Sequence, residues 1–367
     1  MRITDVSGFI YRQQILHRSA VRTHARITRQ WHDTLLVRVQ TDTGLVGWGE
    51  AFAHFGIAAT TLTALQTMVA PRCAGLKPLA GDDPLDRVRR ELHPLGRSGP
   101  VTYALSGVDI ALWDLRGKAA GLPLSALLGG LATDSLPAYA SMMRYGNEAA
   151  VRAEVHEAVA RGFVASKLHE IDIGVIRAAA GVAAASPRPH ALMVDVNCAW
   201  SEDEAAAATA DLQDLDLHWL EEPIWPPEDV GALARLQARC TIALAAGENA
   251  ASVDELEGMA ELGALAFLQP SVTKLGGISA MRGLYPLAAA HGIAVAPHSP
   301  YFGPGLAATL HLAAALAPQT WIEHLFYDLA IGPFGSALEP RDGRFVVPPG
   351  PGLGLNPDLE RLHACRI

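Results

Sequence analysis

Short apolar runs recur at a regular interval between residues 136 and 323, and polar side chains follow each of them. The eight runs end at Ser141, Lys167 with His169, Asp195 with Asn197, Glu221, Glu248, Ser271, His298 and Glu323. From His169 onward, successive ends are 26, 26, 27, 23, 27 and 25 residues apart, and Ser141 precedes Lys167 by 26. Since a strand–helix–strand unit takes roughly 30 residues, the interval predicts one strand and one helix in each repeat.

Eight such units wound in one direction predict an α/β fold, a TIM (β/α) barrel, over residues 131–340. All strands of such a barrel are parallel, so the polar side chains that follow them gather at one rim. The C-terminal rim is where barrels of this kind carry their catalytic groups. We therefore expect the chemistry of the chain at this rim.

The first 130 residues follow a different pattern. Residues 33–40 and 45–50 are typical of two strands around a turn at 41–44, and residues 57–70, 84–95 and 99–120 are typical of helices. A chain of 367 residues also exceeds what one hydrophobic core usually organises. We predict a separate α+β domain over residues 1–130, to which residues 341–367 return through a short strand at 343–347.

Composition and charge narrow the class of protein. The chain is 50% hydrophobic and 18% charged, and no apolar run approaches the ~20 residues that span a bilayer. A net charge of −9 without a basic block argues against nucleic acid as a partner. The polar start is untypical of a signal peptide, and four scattered cysteines form no metal-spaced pair. We expect a cytoplasmic protein that binds neither nucleic acid nor membrane.

Three carboxylates mark the candidate chemistry. Asp195, Glu221 and Glu248 follow three consecutive strands, and they would repel one another at the rim unless a cation neutralised them. A set of hard oxygen ligands suits Mg²⁺, which also leaves coordination positions open for a substrate. The alternative is that these side chains are solvated strand ends or partners of ion pairs. Alternation along a strand also directs Lys167 and His169 to one face, and Asp195 and Asn197 to one face.

Several motifs carry a resemblance to a known family. They are Gly44-Leu45-Val46-Gly47-Trp48-Gly49-Glu50, Asp109-Ile110-Ala111-Leu112-Trp113-Asp114, Glu221-Glu222-Pro223, Lys274-Leu275-Gly276-Gly277 and Pro351-Gly352-Leu353-Gly354. With these motifs the chain resembles the enolase superfamily over nearly its whole length, in or near the mandelate racemase group. The resemblance implies an α+β capping domain on a modified TIM barrel, with Mg²⁺ on Asp195, Glu221 and Glu248. It also implies removal of the proton α to a metal-bound carboxylate, giving an enediolate.

The chain departs from the family pattern at two strand ends. The second barrel strand often ends Lys-x-Lys in the family, but here it ends Lys167-Leu168-His169. The mandelate racemase group usually pairs a strand-seven His with a strand-six Asp. His298 matches that His, whereas Ser271 stands at the Asp position and also speaks against the muconate-lactonizing branch, which carries a Lys there. Glu323 matches the family's strand-eight acid, and Ser141 matches a substrate-contacting position on strand one.

The resemblance implies a role for each rim residue. Lys167 stabilises the developing negative charge, and Glu323, in its protonated form, donates a hydrogen bond to the substrate carboxylate. His169 and His298 flank the substrate, one removing the α-proton and the other protonating the departing hydroxyl, with His298 favoured as the acid. Ser141, Asn197 and Ser271 are expected to contact the substrate.

A loop near the start of the chain predicts the class of substrate. Residues 17–30 are rich in Arg and His, and in the family this loop closes over the barrel mouth. An apolar substrate would leave Arg22, His24 and Arg26 unpaired, at roughly 1–3 kcal/mol each. A polyhydroxylated acid or a diacid would satisfy them, because Arg binds a carboxylate through two parallel hydrogen bonds. The alternative is a solvated basic loop with no role in binding.

The sequence therefore predicts a Mg²⁺-dependent dehydratase that converts a hydroxylated carboxylic acid, such as a sugar acid, to a 2-keto-3-deoxy acid. One alternative is a racemase or epimerase that uses the same enediolate. Another is a family member that binds a carboxylate ligand without turning it over. The expected partner is a small carboxylate substrate, and the resemblance implies a homo-oligomer, possibly an octamer.

Overall fold

The chain begins with a three-stranded antiparallel sheet, seen here in a computed structural model that describes residues 1–16, 30–81 and 83–367. Its strands are β1 (Ile3–Gln14), β2 (Trp31–Thr41) and β3 (Val46–Ala51), paired in that order. The predicted hairpin is confirmed: the Gly44 N–H donates to the Thr41 carbonyl at 3.0 Å, and Gly44 has a φ of +82° that favours glycine.

Helices cover one face of this sheet. They are α1 (Ala58–Ala64), α2 (Ala70–Cys73), α3 (Asp86–Leu92) and α4 (Pro100–Ala120), with a π-helical turn at Leu65–Val69 and 3-10 turns at His54–Gly56 and His93–Leu95. The short helix α5 (Leu124–Leu127) follows α4, and its Ser125 N–H donates to His311 Nδ1 of the barrel at 3.2 Å. Helix α4 lies directly against β3. A Cβ atom added at Gly49 would lie 2.0 Å from the Gly107 carbonyl oxygen, so only glycine permits this approach of strand and helix.

Eight parallel strands and their intervening helices follow. The strands are β4 (Ser135–Ser141), β5 (Ala165–Leu168), β6 (Ala191–Asp195), β7 (Leu217–Glu221), β8 (Leu244–Ala246), β9 (Phe267–Leu268), β10 (Ala294–Val295) and β11 (Ile322–Leu325). The helices are α6 (Glu148–Ala160), α7 (Ile173–Ala184), α8 (Glu202–Leu212), α9 (Val230–Gln237), α10 (Val253–Glu261), α11 (Ile278–Ala290) and α12 (Pro304–Leu316). All eight predicted strands are present, so the α/β fold predicted from the interval is confirmed.

The strand order shows where the sheet stops. It runs β10-β9-β8-β7-β6-β5-β4-β11, and no ladder joins β10 to β11 among the described residues. Hydrogen bonds outside the ladder join these two edges instead. Thr320 Oγ1 donates to the Val295 carbonyl at 2.7 Å, and the Ser299 N–H donates to Glu323 Oε2 at 2.9 Å. We call this junction the β10–β11 seam.

The C-terminal segment divides between the two parts of the fold. Strand β12 (Arg344–Val346) pairs antiparallel with β4 of the barrel, so the expectation that this strand rejoins the N-terminal domain is wrong. Strand β12 can pair there because the first residues of β4, Ser135–Pro137, precede the point at which β5 begins to pair with β4 at Tyr139. Helix α13 (Leu359–Cys365) and the residues after it do reach the N-terminal sheet, where the Ile367 N–H donates to the Ile10 carbonyl at 3.0 Å.

Apolar side chains fill the inside of the barrel and form the floor of the rim. They are Tyr139, Ala165, Met193, Trp219, Ala245 and Ala296, with Phe267 packed against them. Alternate residues of each strand share a face, so the next inward position above this floor carries the polar strand ends. None of the helices in the described part of the chain is both long and apolar enough to cross a bilayer.

Helix α4 fixes the N-terminal domain to the barrel. Its Asp109 carboxylate accepts a hydrogen bond from the Ser279 N–H at 2.9 Å, at the start of α11. Its Asp114 carboxylate accepts from the Trp48 N–H and the Leu353 N–H, both at 2.9 Å. Two buried carboxylates of one helix therefore hold the hairpin, the barrel and the C-terminal segment in register.

Candidate active site

Three carboxylates, two of them buried and the third (Glu248) partly buried, meet at the C-terminal rim. Asp195 and Glu221 are the last residues of β6 and β7 and face each other in the strand ladder, and Glu248 lies two residues beyond β8. One oxygen from each lies within 4.8 Å of the other two. The structure thus brings together the three residues that the sequence predicts as metal ligands.

Lys167 forms ion pairs with two of these carboxylates and with Glu323. Its Nζ atom is 2.8 Å from Glu221, 3.2 Å from Glu323 and 3.6 Å from Asp195. Burial disfavours the charged form of Lys167, but Glu221 and Glu323 outweigh it and raise the pKa well above its usual value. Lys167 is therefore a cation, and its side chain is buried from solvent.

One lysine does not balance the negative charge of the site. Burial, together with Asp195, Glu248 and Glu323, raises the pKa of Glu221 well above its usual value even with Lys167 beside it. Asp195 Oδ2 is buried and accepts no hydrogen bond among the described residues. Three hard oxygen donors with this excess of charge fit a divalent cation such as Mg²⁺, which Asp195, Glu221 and Glu248 would hold.

His169 approaches the cluster from β5. Its Nδ1 contacts the Met142 carbonyl, and its Nε2 lies 3.2 Å from Asp195 Oδ2. A carbonyl oxygen can only accept, so Nδ1 carries a proton, and Nε2 is the ring nitrogen that can exchange a proton with the site. Burial raises the pKa of Asp195, but His169 and Lys167 more than offset it and lower that pKa overall.

His298 approaches from the opposite side of the cluster. Its Nε2 lies 2.8 Å from Glu248 Oε2, and its buried Nδ1 has no hydrogen-bond partner within the described part of the chain. A carboxylate accepts, so we assign a proton to Nε2 of His298. Burial raises the pKa of Glu248, and His298 with Lys274 outweighs it and lowers that pKa overall.

Glu323 is surrounded by donors. Ser141 Oγ donates to it at 2.8 Å, the Ser299 N–H donates at 2.9 Å, and Lys167 Nζ lies 3.2 Å away. Burial raises the pKa of Glu323, but Lys167, His298 and the two serine donors outweigh burial. The net pKa of Glu323 is therefore below its usual value. The protonated Glu323 expected from the sequence is therefore not favoured, because all these neighbours stabilise the carboxylate.

Two predicted substrate contacts lie differently from expectation. Strand β6 ends at Asp195, and Asn197 has a φ of +48°, so strand alternation does not carry Asn197 to the face of Asp195. Its backbone N–H instead donates to Asp195 Oδ1 at 2.7 Å. Ser271 is buried, and its hydroxyl contacts the hydroxyl of Tyr301 rather than a rim carboxylate.

Arg22, His24 and Arg26 lie within residues 17–29, outside the described residues. Their predicted contact with the substrate stays a prediction.

Sequence reasoning missed three side chains of the site. Trp219 Nε1 donates to Glu221 Oε2 at 2.9 Å, and its position two residues before Glu221 on a strand could have indicated this. Ser299 and Tyr301 lie in the loop after β10, where no periodic pattern exists. Their contacts with Glu323 and Ser271 depend on the path of that loop, which the sequence does not specify.

Two family comparisons cover most of the chain. Residues 150–362 match the family described as Enolase C-terminal domain-like, and residues 11–129 match the family described as Mandelate racemase / muconate lactonizing enzyme, N-terminal domain. The boundary between the two matches falls where the hairpin domain gives way to the barrel.

Individual proteins are similar along their full length. D-galactarolactone cycloisomerase of Agrobacterium fabrum is 32% identical, over 93% of each chain. D-galactonate dehydratase of Verminephrobacter eiseniae is 31% identical, over 94% of each chain. A mandelate racemase/muconate lactonizing protein from Paracoccus denitrificans, solved in complex with magnesium, is 29% identical with a TM-score of 0.84, over 100% of this chain and 98% of that one.

Proposed function

Because the chain belongs to the enolase superfamily, in its mandelate racemase and muconate lactonizing enzyme branch, we propose that it is a Mg²⁺-dependent dehydratase of a sugar acid. One observation carries this proposal. Two histidines contact opposite ends of the carboxylate cluster, His169 at Asp195 and His298 at Glu248, and they differ at Nδ1, which contacts the Met142 carbonyl in His169 and has no partner among the described residues in His298. One base and one acid suit elimination of water.

The cluster prepares the substrate for loss of a proton. Bound by Asp195, Glu221 and Glu248, Mg²⁺ would withdraw charge from the substrate carboxylate and so acidify the adjacent C–H bond. Lys167 is held as a cation by Glu221 and Glu323, beside the position where negative charge develops. A fixed, buried charge stabilises such an intermediate more than solvent would.

His169 is the proposed base. The Met142 carbonyl fixes its tautomer, so Nε2 can accept the α-proton as the C–H electron pair moves into the enediolate. The α-hydroxyl and the carboxylate remain in place during this step.

His298 is the proposed acid. It gives its Nε2 proton to the hydroxyl on the β-carbon, that C–O bond breaks, and water leaves with the bond's electron pair while the enediolate electrons form a C–C double bond. The resulting enol becomes a 2-keto-3-deoxy acid by taking a proton at the β-carbon. Each turnover releases one water and neither oxidises nor reduces the substrate overall.

Glu323 has a different role from the one that the resemblance implies. As a carboxylate it accepts hydrogen bonds from Ser141 and Ser299 and pairs with the ammonium group of Lys167. These contacts fix the position of that ammonium group in the site. We propose that it positions Lys167 rather than donating a hydrogen bond to the substrate.

The two alternatives from the sequence are less well supported. A racemase needs each flanking group to accept a proton in turn, whereas the contacts of His169 and His298 differ in kind. A binding protein without turnover would have no need for a cation buried among three carboxylates. The polar lid residues Arg22, His24 and Arg26 still predict a polyhydroxylated acid or a diacid.

A cycloisomerase is the second candidate. The relative from Agrobacterium fabrum carries this name and aligns over 93% of both chains. If the leaving oxygen belongs to a lactone ring, the same base opens the ring, and the departing carboxylate needs no acid. The orphaned Nδ1 of His298, which has no carboxylate behind it among the described residues, is compatible with such a reduced demand for acid.

Product analysis tests the proposal. The protein with Mg²⁺ would be incubated with D-galactonate, galactarate and D-galactarolactone in deuterium oxide. Dehydration gives a 2-keto-3-deoxy acid that lacks one water, cycloisomerisation gives an isomeric open-chain keto acid, and racemisation gives an α-deuterated substrate without a keto group. Failure of every acid of this class to react or exchange would contradict the proposal. We also propose that the protein is a homo-oligomer located in the cytoplasm. Light scattering, which measures molar mass, tests the oligomeric state.

A further inference from the structure

Gln269 faces the inside of the barrel next to the site. Phe267, two residues earlier, packs its ring 5.0 Å from that of Trp219 on the barrel floor. The Gln269 N–H continues the ladder by donating to the Ala246 carbonyl at 2.9 Å, so strand alternation carries the Gln269 side chain to the inward face above Phe267. It lies on the wall between β8 and β10, the strands that lead to Glu248 and His298.

The amide of Gln269 is buried without a partner. Its side chain is 0% exposed, and neither Nε2 nor Oε1 forms a hydrogen bond within the described residues. Gln237, on the outside of the barrel, shows the usual case: its Nε2 donates to the Ile242 carbonyl and its Oε1 accepts from the Leu244 N–H. Buried polar groups are nearly always paired, so an orphaned amide in a site indicates a group that pairs with a ligand.

The chemistry of the amide selects the ligand. Both its N–H donors and its carbonyl acceptor lack partners, and a group that satisfies both must donate and accept. A carboxylate only accepts, so it would leave the carbonyl oxygen unpaired and facing negative charge. A hydroxyl does both.

We propose that Gln269 binds a hydroxyl group of the substrate and selects acids that carry it. This inference rests on the proposed function, since it names the part of a sugar acid that Gln269, which follows β9, would recognise. Gln269 does not take part in proton transfer. Its contribution is to binding and to the choice between hydroxylated and deoxygenated acids.

The thermal stability of a variant tests the proposal without any substrate. Gln269→Met keeps the side-chain volume and removes the orphaned amide, so its Tm should equal or exceed that of the native protein. Gln237→Met is the matched control and should lower the Tm, because it breaks two existing hydrogen bonds. If Gln269→Met lowers the Tm as much as the control does, or fails to fold while the control folds, the amide has a structural partner and the proposal is wrong.

Substrate selection gives the second test. D-galactonate would be compared with its monodeoxy analogues, by turnover and by the rise in Tm that each produces with Mg²⁺. The native protein should disfavour one analogue by about 10- to 100-fold, and Gln269→Met should lose that preference through KM rather than kcat. Unchanged preference in Gln269→Met would overturn the proposal. If no sugar acid reacts, the function is wrong, while the Tm rises with the same acids still decide the role of Gln269.

Discussion

At the scale of single residues, the charge of Glu221 governs the site. It accepts from Lys167 and Trp219, it is fully buried, and its neighbours include Asp195 and Glu248. Burial and these carboxylates raise its pKa, so the cluster favours any cation that can replace the protons it would otherwise bind. Metal binding and the charge state of Glu221 are therefore linked.

We expect Glu221→Gln to abolish both Mg²⁺ binding and turnover. A neutral amide leaves two carboxylates, which hold the ion less tightly, while the volume of the side chain is unchanged. In the native protein the Tm should rise with Mg²⁺ concentration by mass action, and in the variant it should not. Glu257→Gln, on the exposed surface of α10, is the control. Full activity after exhaustive chelation would contradict the role of the cluster.

Replacing each histidine should separate the two proton transfers. His169→Asn should lower exchange of the α-proton with deuterium oxide by about 10²–10⁴-fold, because no other base contacts that side of the cluster among the described residues. His298→Asn should retain α-exchange and lose the keto product. The readouts are the ¹H signal of the α-carbon and the yield of keto acid. Full exchange in His169→Asn would exclude it as the base.

Rim residues were predictable from the sequence where a strand delivers them, and unpredictable where a loop does. The interval between apolar runs was sufficient to find Asp195, Glu221 and Lys167, since a strand directs each inward. The protonation state of Glu323 was not predictable, because it depends on the N–H of Ser299. That N–H lies in a loop whose sequence has no periodicity. Asn197 shows the same limit, since its left-handed backbone breaks the alternation on which the prediction relied.

At the scale of secondary-structure elements, local sequence signals predicted where helices begin better than they predicted which strands pair. Ser201 and Glu204 form a capping box at the start of α8, a pattern that the sequence shows as Ser-x-x-Glu. The same pattern stands at the start of α10, where Ser252 accepts from the Glu255 N–H, but Glu255 accepts from the Ala251 N–H rather than from Ser252. Strand β12 was predicted as a strand and assigned to the wrong sheet, because a three-residue apolar run carries no information about which edge it joins.

The packing of β3 on α4 gives a prediction at this scale. Gly49→Ala should lower the free energy of unfolding by about 2–3 kcal/mol or more, because the new methyl group would overlap the Gly107 carbonyl oxygen and approach the Ala111 nitrogen within 2.8 Å. The matched control is Gly258→Ala in α10, where no atom lies within 4 Å of the added methyl group. It should stabilise by about 0.5–1 kcal/mol. Urea unfolding measures both; equal effects would contradict the close approach of β3 and α4.

At the scale of the whole molecule, a buried carboxylate joins the two domains. Glu50, on β3, accepts from the Gly305 N–H at 2.9 Å, in the first turn of α12, and is 2% exposed. Burial raises its pKa from 4.5 to about 8, and the bond from Gly305 only partly opposes this. Unlike the exposed acids, Glu50 therefore keeps its proton in the folded protein at neutral pH.

Glu50 should make the stability of the protein fall as pH rises. Between pH 4.5 and about 8 the folded state keeps this proton and the unfolded state loses it, so the free energy of unfolding decreases across that window and levels off above it. Glu50→Gln should remove this loss, which is on the order of 1.4 kcal/mol per unit of pKa shift at most. The variant should gain Tm over the native protein at pH 9 but not at pH 4.5. Glu148→Gln, on the surface, is the control, and parallel pH profiles would contradict the assignment.

The β10–β11 seam has a consequence for how the protein loses activity. Because hydrogen bonds such as that from Ser299 to Glu323 close the barrel there instead of a strand ladder, local opening at the seam requires less free energy than global unfolding. Such opening separates His298 from Glu323, while β6, β7 and β8 stay paired and keep the three metal ligands together. In a urea titration, activity should therefore disappear at a lower concentration than Mg²⁺ binding and helical circular dichroism. Coincident loss of all three would show that the seam opens only with the whole barrel.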